Sequence, residues 1–588
     1  MPSTPVQSPI APTAHAQFPD RVAEPGFESL PGTWESAIRG WRDILGEDGV
    51  TTDSQAVEEH GRNMIGSNVR GTTILQPRFE RQVASIVRIA NEFKTPLYPI
   101  STGRNWGYGA ASPVTPGCAV VDLSGLRQIR VIDRELGVVA LQPGVTQGML
   151  WQFLEAEELD FMVPVHGGGP SCSILGNALE RGYGLTPTTD HFSALTSLTA
   201  VLPDGSTYRS PLHAMGAPLI GSLHRWGVGP YVEGLFSQGN FGIVTEATFT
   251  LARRPEHVGA FFVRLANENQ FGEFVDSMRT ILSSLGATVS GINLMNSRRV
   301  LSMSHSYPVD RVAPYEIMSE SLCKEMAKAA GITAWTAAGV VHCPAAMQSA
   351  VRREISRLIP ASLPRPIHFN RRRLGWARTA GRLIPGGLRS IHKQLDSIES
   401  LLDLADGIPR RVALPLAYWL QGRSPSVTRD INPAKDGCGL IWYSPLVPMK
   451  SANVNEYVKM VTRVCTDHGI EPLITLTSLS DRLFDSTVPV LYCPEQPGAT
   501  EMAHECFNAL LQQGHAMGCL PYRFGTQTMT RLKQFDDGSH KHFVHQLKKA
   551  IDPGNLIAPG RYAGVSGMNA QTLSSVSEFS RPTAQPFT

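Results

Sequence analysis

The stretch Pro99-Ile-Ser-Thr-Gly-Arg-Asn-Trp-Gly-Tyr-Gly109 decides the reading of this 588-residue chain. Glycines and small polar residues follow a short apolar run at 97–100, which predicts a strand opening into a loop. A loop of this composition turns successive backbone N–H groups toward one anion, and a pyrophosphate is the natural guest. Ahead of it, Val83, Ile86, Val87, Ala90 and Phe93 recur at helical spacing, so residues 81–93 are expected as a helix that feeds the strand. The pattern is neither G-x-G-x-x-G nor a Walker loop, which argues against NAD and ATP. The dinucleotide candidates here are Pro99, Ser101, Thr102, Gly103, Arg104, Asn105 and Gly107.

From Val163 the chain reads VPVHGGGPSCSILGNALERGYGLTPTTDH, a second glycine-rich stretch around a short predicted helix at 174–180. Two such turns, each beside a hydrophobic element, are able to hold both sides of a long dinucleotide. Gly176, Asn177, Gly182, Gly184, Asp190 and His191 are its candidates. A hairpin follows, with arms at 198–202 and 207–209 joined through Pro203-Asp-Gly-Ser206. The segment GLFSQGNFGIVTEATFTLARRP then alternates like a strand over 242–251, and its edge at Gly242, Ile243 and Val244 offers main-chain groups to a ligand base.

With these segments in place the chain resembles the vanillyl alcohol oxidase/p-cresol methylhydroxylase family of FAD flavoenzymes. The resemblance runs from about Thr72 to Ala563 and rests on PISTGRNWGYG, SILGNALERGYG, TPTTDH, GPYVEGLFSQGNFGIVT, the PYR at 521–523 and the closing IDPGNLIAPGR with Arg561. It implies an α+β fold, with an FAD-binding domain of two α/β subdomains interrupted by a cap that has an antiparallel sheet flanked by helices. The expected division is a flexible arm at 1–30, the first part of the FAD domain at 31–255, the cap at 256–519, a return to the FAD domain at 520–565 and a tail at 566–588.

The resemblance also implies a site. Tyr108 at the end of the first loop, with Tyr522 and Arg523, stands where family members bind a phenol's oxygen as phenolate. Two hydroxyl donors and a guanidinium favour the anion when water is excluded. Electron density pushed from that oxygen weakens a C–H bond on the para side chain, so hydride leaves for the flavin and a p-quinone methide results. A packing role for Tyr108 and a purely charge-neutralising role for Arg523 stand beside this reading.

Two departures mark this chain. Relatives carry an aspartate ahead of the S-x-x-G-N segment, whereas VPVHGGGPSC has no carboxylate; His166 is the available proton-handling group, and it also suits a structural or FAD-contacting role. Family members with covalent FAD use a His or Tyr shortly before a Ser-Pro. Alignment on Ser444-Pro445 puts Leu440 there, and Arg104 stands at the loop position where more distant relatives attach through His. Only Cys172 remains as a nucleophile, so non-covalent FAD is expected.

Composition agrees with a globular enzyme. Hydrophobic residues at 42% and charged residues at 18% provide ample core, and a net charge of +2 gives no reason to expect a nucleic-acid partner. The nine cysteines are scattered without a C-x-x-C pair, which argues for reduced thiols, no metal centre and a cytoplasmic setting. The first thirty residues lack the basic start and apolar core of a signal peptide, and no run of eighteen apolar residues spans a membrane. The basic segment 369–393 is expected as a solvated cap loop, with a membrane-surface or acidic-partner contact as the other reading.

The expected function is an FAD-dependent oxidase or dehydrogenase of para-substituted phenols, in a homo-oligomer. Oxygen or a separate protein takes the electrons; no C-x-x-C-H haem motif occurs in the chain. The alternatives are a flavoenzyme for non-phenolic alcohols and a flavoprotein that passes electrons to a partner.

Overall fold

The computed structural model describes residues 33–382, 388–422 and 431–562. The expected N-terminal arm and C-terminal tail lie outside the described residues. The helix Glu80–Phe93 forms as its spacing predicts and buries Val83, Ile86, Val87 and Ala90. Trp41, on the helix Thr33–Leu45, donates from its indole to the carbonyl of Ile86 at 3.2 Å and ties the two helices together.

Behind these helices lies a four-stranded sheet in the order Val50–Thr51, Thr73–Leu75, Ala119–Asp122, Leu97–Ile100. The last three strands are parallel. Their side chains are buried on both faces, which is why they read as continuous apolar runs instead of alternating ones. The chain returns to this sheet near its end: Leu97 N–H donates to the Leu556 carbonyl at 2.8 Å and Ala558 N–H to the Leu97 carbonyl at 2.7 Å. Buried Lys548 holds that return, with its ammonium 2.6 Å from Asp552 and 3.0 Å from the carbonyl of Ile557.

A second sheet is antiparallel, ordered Ile129–Asp133, Val138–Leu141, Ile243–Thr250, Leu195–Val201, Thr207–Arg209. The strand whose edge is expected to be open at Gly242, Ile243 and Val244 is central in the sheet along its later half. Val138–Leu141 covers it from Ala247 to Thr250 and Leu195–Val201 pairs with its other side, so one edge stays open only toward its start, at residues 243–246.

Strands drawn from residues 257–492 build a third, larger antiparallel sheet, and its centre decides the site. Val289–Asn296, Thr475–Ser478 and Leu483–Tyr492 run side by side. Their register sets Asn293, Thr477 and Asp485 in one row and Met295, Thr475 and Thr487 in the next. The alternate residues Leu294, Leu476 and Phe484 face the opposite way, into a core shared with the helices Phe271–Leu285, Ser451–Asp467 and Ala499–Ala516. One face is thus oily and the other polar, which is the period-two alternation of a half-covered sheet.

The basic segment corrects the expectation of a solvated loop. Residues Arg371–Arg382 are helical, and Arg371 pairs with Asp403 at 2.8 Å and also with Asp406. Arg378 reaches Asp396 at 2.7 Å and Glu399 at 2.8 Å. Arg371 and Arg378 are thus paired with acidic residues on, or one residue past, the next helix, Leu388–Ala405, while both stay partly exposed.

Candidate active site

A cavity of about 530 Å³ lies between the polar face of the large sheet and the two glycine-rich stretches. Its wall contains most of the residues singled out in the sequence: Pro99, Ser101, Thr102, Gly103, Arg104, Asn105, Tyr108, His166, Gly176, Asn177, Gly184, Gly242, Ile243, Val244, Tyr522, Arg523 and Arg561. Gly107, Gly182, Asp190 and His191 stand behind it. Asp190 caps a turn by accepting from Phe192 N–H at 3.0 Å, and His191 supports Asn177 through a 2.6 Å contact between its Nδ1 and the side-chain amide.

The first loop has the character of an anion cradle. Among the described hydrogen bonds, the N–H groups of Ser101, Thr102, Gly103, Asn105 and Trp106 find no backbone acceptor. Gly103 and Gly107 take left-handed conformations at φ 63° and 74°. Against this loop packs the helix Ile174–Leu179, so closely that a Cβ on Gly176 would lie 2.3 Å from the Ser101 hydroxyl. Unmet donors and bare backbone fit the pyrophosphate of a dinucleotide. Gly107 secures the loop's far end, where a Cβ would lie 2.4 Å from Trp442. Gly107→Ala is therefore expected to destabilise the fold by about 2–4 kcal/mol through left-handed strain plus overlap. A lower melting temperature and a lower flavin-to-protein absorbance ratio would show it; unchanged values would contradict the close approach.

At the other end, charged and hydroxyl groups converge. Arg523 lies with its guanidinium carbon 4.4 Å from the centre of the Tyr108 ring, donates to Asn105 Oδ1 at 2.5 Å, and sits 3.5 Å from Glu180. Arg561 binds the same Glu180 and donates to Tyr98 at 2.7 Å. Tyr108 and Ser444 hydroxyls meet at 2.8 Å, while Tyr522 stands edge-on to Tyr183 with ring centres 5.5 Å apart. Burial pushes Tyr108 up to about 12 and Tyr522 well above the ordinary range, so both keep their protons and act as donors at neutral pH.

Asp485, absent from the sequence-derived site, completes this cluster. Its side chain is buried, its Oδ1 has no hydrogen-bond partner among the described residues, and its charge is felt by both Tyr108 and Tyr522. Burial raises it to about 7 against the pull of Arg523. With Asp485 protonated, the two guanidiniums share one carboxylate, Glu180, and the cluster is one negative charge short.

His166 has a different character. Its Nδ1 accepts from Gly168 N–H at 3.1 Å and its Nε2 lies 3.2 Å from the Gln147 side-chain amide. Burial, then repulsion from Arg523, lowers it to about 4, so it is neutral at physiological pH. Leu440 and Cys172 both line the cavity, the first on the strand Gly439–Tyr443. Within the described residues no disulfide joins any of the nine cysteines.

Comparison with known proteins places this architecture. An FAD-binding domain model matches residues 72–210. The chain is 31% identical over 533 residues to 1'-carboxy-chondrochloren decarboxylase of Chondromyces crocatus, covering 90% of this chain and 97% of the relative. It is 26% identical over 539 residues to the flavoprotein subunit of 4-cresol dehydrogenase (hydroxylating) from Pseudomonas putida, covering 90% and 95%. Among solved structures, p-cresol methylhydroxylase with substrate bound superposes with a TM-score of 0.81 at 25% identity, over 92% of this chain and 98% of that one. The chain belongs to the vanillyl alcohol oxidase/p-cresol methylhydroxylase family of FAD flavoenzymes. It is an FAD-dependent oxidoreductase.

Proposed function

We propose that the enzyme oxidises the para side chain of a phenol bound as its phenolate. The observation that carries this reading is the convergence of Arg523, Arg561 and two tyrosine hydroxyls on a cavity wall beside one buried carboxyl, Asp485, which gives up its negative charge when it accepts a proton. A phenolate oxygen supplies that charge and accepts hydrogen bonds from Tyr108 and Tyr522. Asp485, poised near neutrality, takes the phenol's proton as the substrate enters. The anion then donates density through the ring, hydride departs from the carbon next to it, and a p-quinone methide forms. Bound FAD supplies the hydride acceptor. Water adds to the quinone methide, or an existing hydroxyl becomes a carbonyl. The relatives named above for cresol support a phenolic substrate, and the decarboxylase shows that the scaffold also serves a substrate bearing a carboxyl group.

A chromophoric phenol tests the binding mode. Mixed with holoenzyme below its own pKa, 4-nitrophenol should develop the absorbance of its anion in the difference spectrum; a spectrum of the neutral phenol alone would contradict phenolate binding.

FAD is held without a covalent bond in this reading. Leu440 is a hydrocarbon at the wall position where relatives carry a nucleophile, and Arg104 occupies the alternative one. Acid-precipitated protein should leave its yellow colour in the supernatant. Colour in the pellet would refute the expectation, and its loss in Cys172→Ala would locate the bond. Nine scattered cysteines without a C-x-x-C pair support a reducing intracellular setting.

A further inference from the structure

The polar roof of the cavity carries a cation that the phenol does not use. Arg299 lies on the helix Ser297–Ser304, lines the cavity, and is only 9% exposed. Its neighbour Arg298 is paired with Glu471 at 2.6 Å and with Glu320 at 2.7 Å. Consecutive helical residues point about 100° apart, so these two arginines face different surroundings. Among the described residues no carboxylate forms an ion pair with Arg299. Its partners are hydroxyls: Nε donates to Thr475 at 3.2 Å and Nη1 to Ser302 at 3.1 Å, while Ser302 donates onward to the Arg299 carbonyl at 2.7 Å. These two bonds fix the guanidinium plane and leave Nη2 and the second proton of Nη1 without a partner among the described residues. The Nη1–Nη2 end presents two parallel N–H groups, the arrangement that pairs with a carboxylate.

A buried cation without a counter-charge is costly, and sequences retain one where a ligand completes it. Burial alone moves Arg299 down to about 10, far enough above neutrality for the charge to persist. The sheet register gives the separation of the backbone rows that carry the two ends of the cavity. Asp485 is in the row of Asn293 and Thr477; Thr475, which holds Arg299, is in the adjacent row. One row is two residues along a strand, about 7 Å, so the phenolate cluster and the Arg299 anchor stand at separate, neighbouring stations along the same face of the sheet.

We propose that Arg299 is a substrate-recognition residue that binds a carboxylate at the far end of the para side chain, so the preferred substrates are 4-hydroxyphenyl carboxylic acids with a short aliphatic spacer. This rests on the phenol reading for the ring end, but the carboxylate contact is testable without it. The probe is 3-phenylpropanoate, which has the acid and no phenol, titrated into oxidised holoenzyme and followed by the shift of the flavin spectrum. Arg299→Gln should weaken its binding about 30-fold or more, as loss of one member of a buried charge pair does, and Arg299→Lys should recover part of it. A flavin spectrum like that of the parent enzyme shows that the variants are folded. Equal binding to parent and Arg299→Gln, or no binding to either, would overturn the proposal. Reduction by 3-(4-hydroxyphenyl)propanoate and by 4-propylphenol then separates the two readings: the variant should lose far more activity with the acid than with the alkyl phenol. If neither phenol reduces the parent enzyme, the phenol reading fails, while the titration still decides the carboxylate site.

Discussion

Arg523→Ala is expected to slow anaerobic reduction of the bound flavin by a para-substituted phenol by about 10²–10³-fold, the loss seen when one preorganised charge-stabilising group is removed. The arginine is buried and held from three sides, by Asn105, Glu180 and the face of Tyr108, so its charge is in place before substrate arrives. Without it, Arg561 still neutralises Glu180 and the pocket's charge deficit disappears. The phenolate then forms with no cation beside it. Tyr108→Phe removes one hydroxyl donor and should cost less, about 10–100-fold, in line with 1–3 kcal/mol for an unmet hydrogen bond. In both variants the flavin-to-protein ratio should fall much less than the rate, because the glycine-rich walls are intact. Stopped-flow traces that match the parent enzyme in both would remove the phenolate mechanism.

Asp485→Asn has two expected effects of opposite sign. In the parent enzyme the reduction rate with a phenol should rise with pH through about 7, as the carboxyl loses its proton and becomes a base. The asparagine variant loses that limb and slows about 10²–10⁴-fold at pH 8. Its stability moves the other way. A carboxyl whose pKa is raised on folding holds its proton better in the folded state, so it stabilises the fold at low pH and that benefit is lost as pH rises from about 4 to about 7. At about 1.4 kcal/mol per pH unit, burying the anion at pH 8 costs on the order of 2–4 kcal/mol. Asp485→Asn should therefore melt higher than the parent at pH 8 and alike at pH 4. A variant that is less stable at pH 8, or that keeps the kinetic limb, would take Asp485 out of the proton-accepting role.

The parts of this site legible in the sequence share one property: their chemistry is written in contiguous residues. The cradle at 101–107 shows itself through glycines that need left-handed backbone, and Tyr522-Arg523 through adjacency in a family motif. Asp485 and Arg299 carry no such local mark. In LFDSTVPVLY an aspartate alternating with apolar residues reads as the wet face of a strand, and only the stacking of three strands shows that this face roofs a cavity. The available signal was the repeated polar alternation at Thr475, Thr477, Asp485 and Thr487 in strands whose other face carries Leu476, Phe484, Val488 and Val490. Arg298-Arg299 reads as a charged pair on a helix; the helical turn sends one to two glutamates and the other to the cavity.

Two incomplete readings have equally physical origins. Residues 242–251 alternate as a strand does and keep an open edge at 243–246, but from Ala247 on antiparallel neighbours lie on both sides, and pairing partners are not encoded in a strand's own period. The basic run at 369–393 lacks local acids and reads as a loop, whereas 371–382 is helical and Arg371 and Arg378 meet Asp396, Glu399, Asp403 and Asp406, acids that stand on or just past the following helix.

The most direct measurement of the central claim is anaerobic stopped-flow reduction of the holoenzyme by 4-(hydroxymethyl)phenol and by its methyl ether. The two share a ring, a side chain and nearly a shape, but the ether has no proton to give Asp485 and no anion to offer Arg523. Rapid bleaching of the flavin by the phenol, with reduction by the ether slower by orders of magnitude, is the expected result. Comparable reduction by both would contradict phenolate activation.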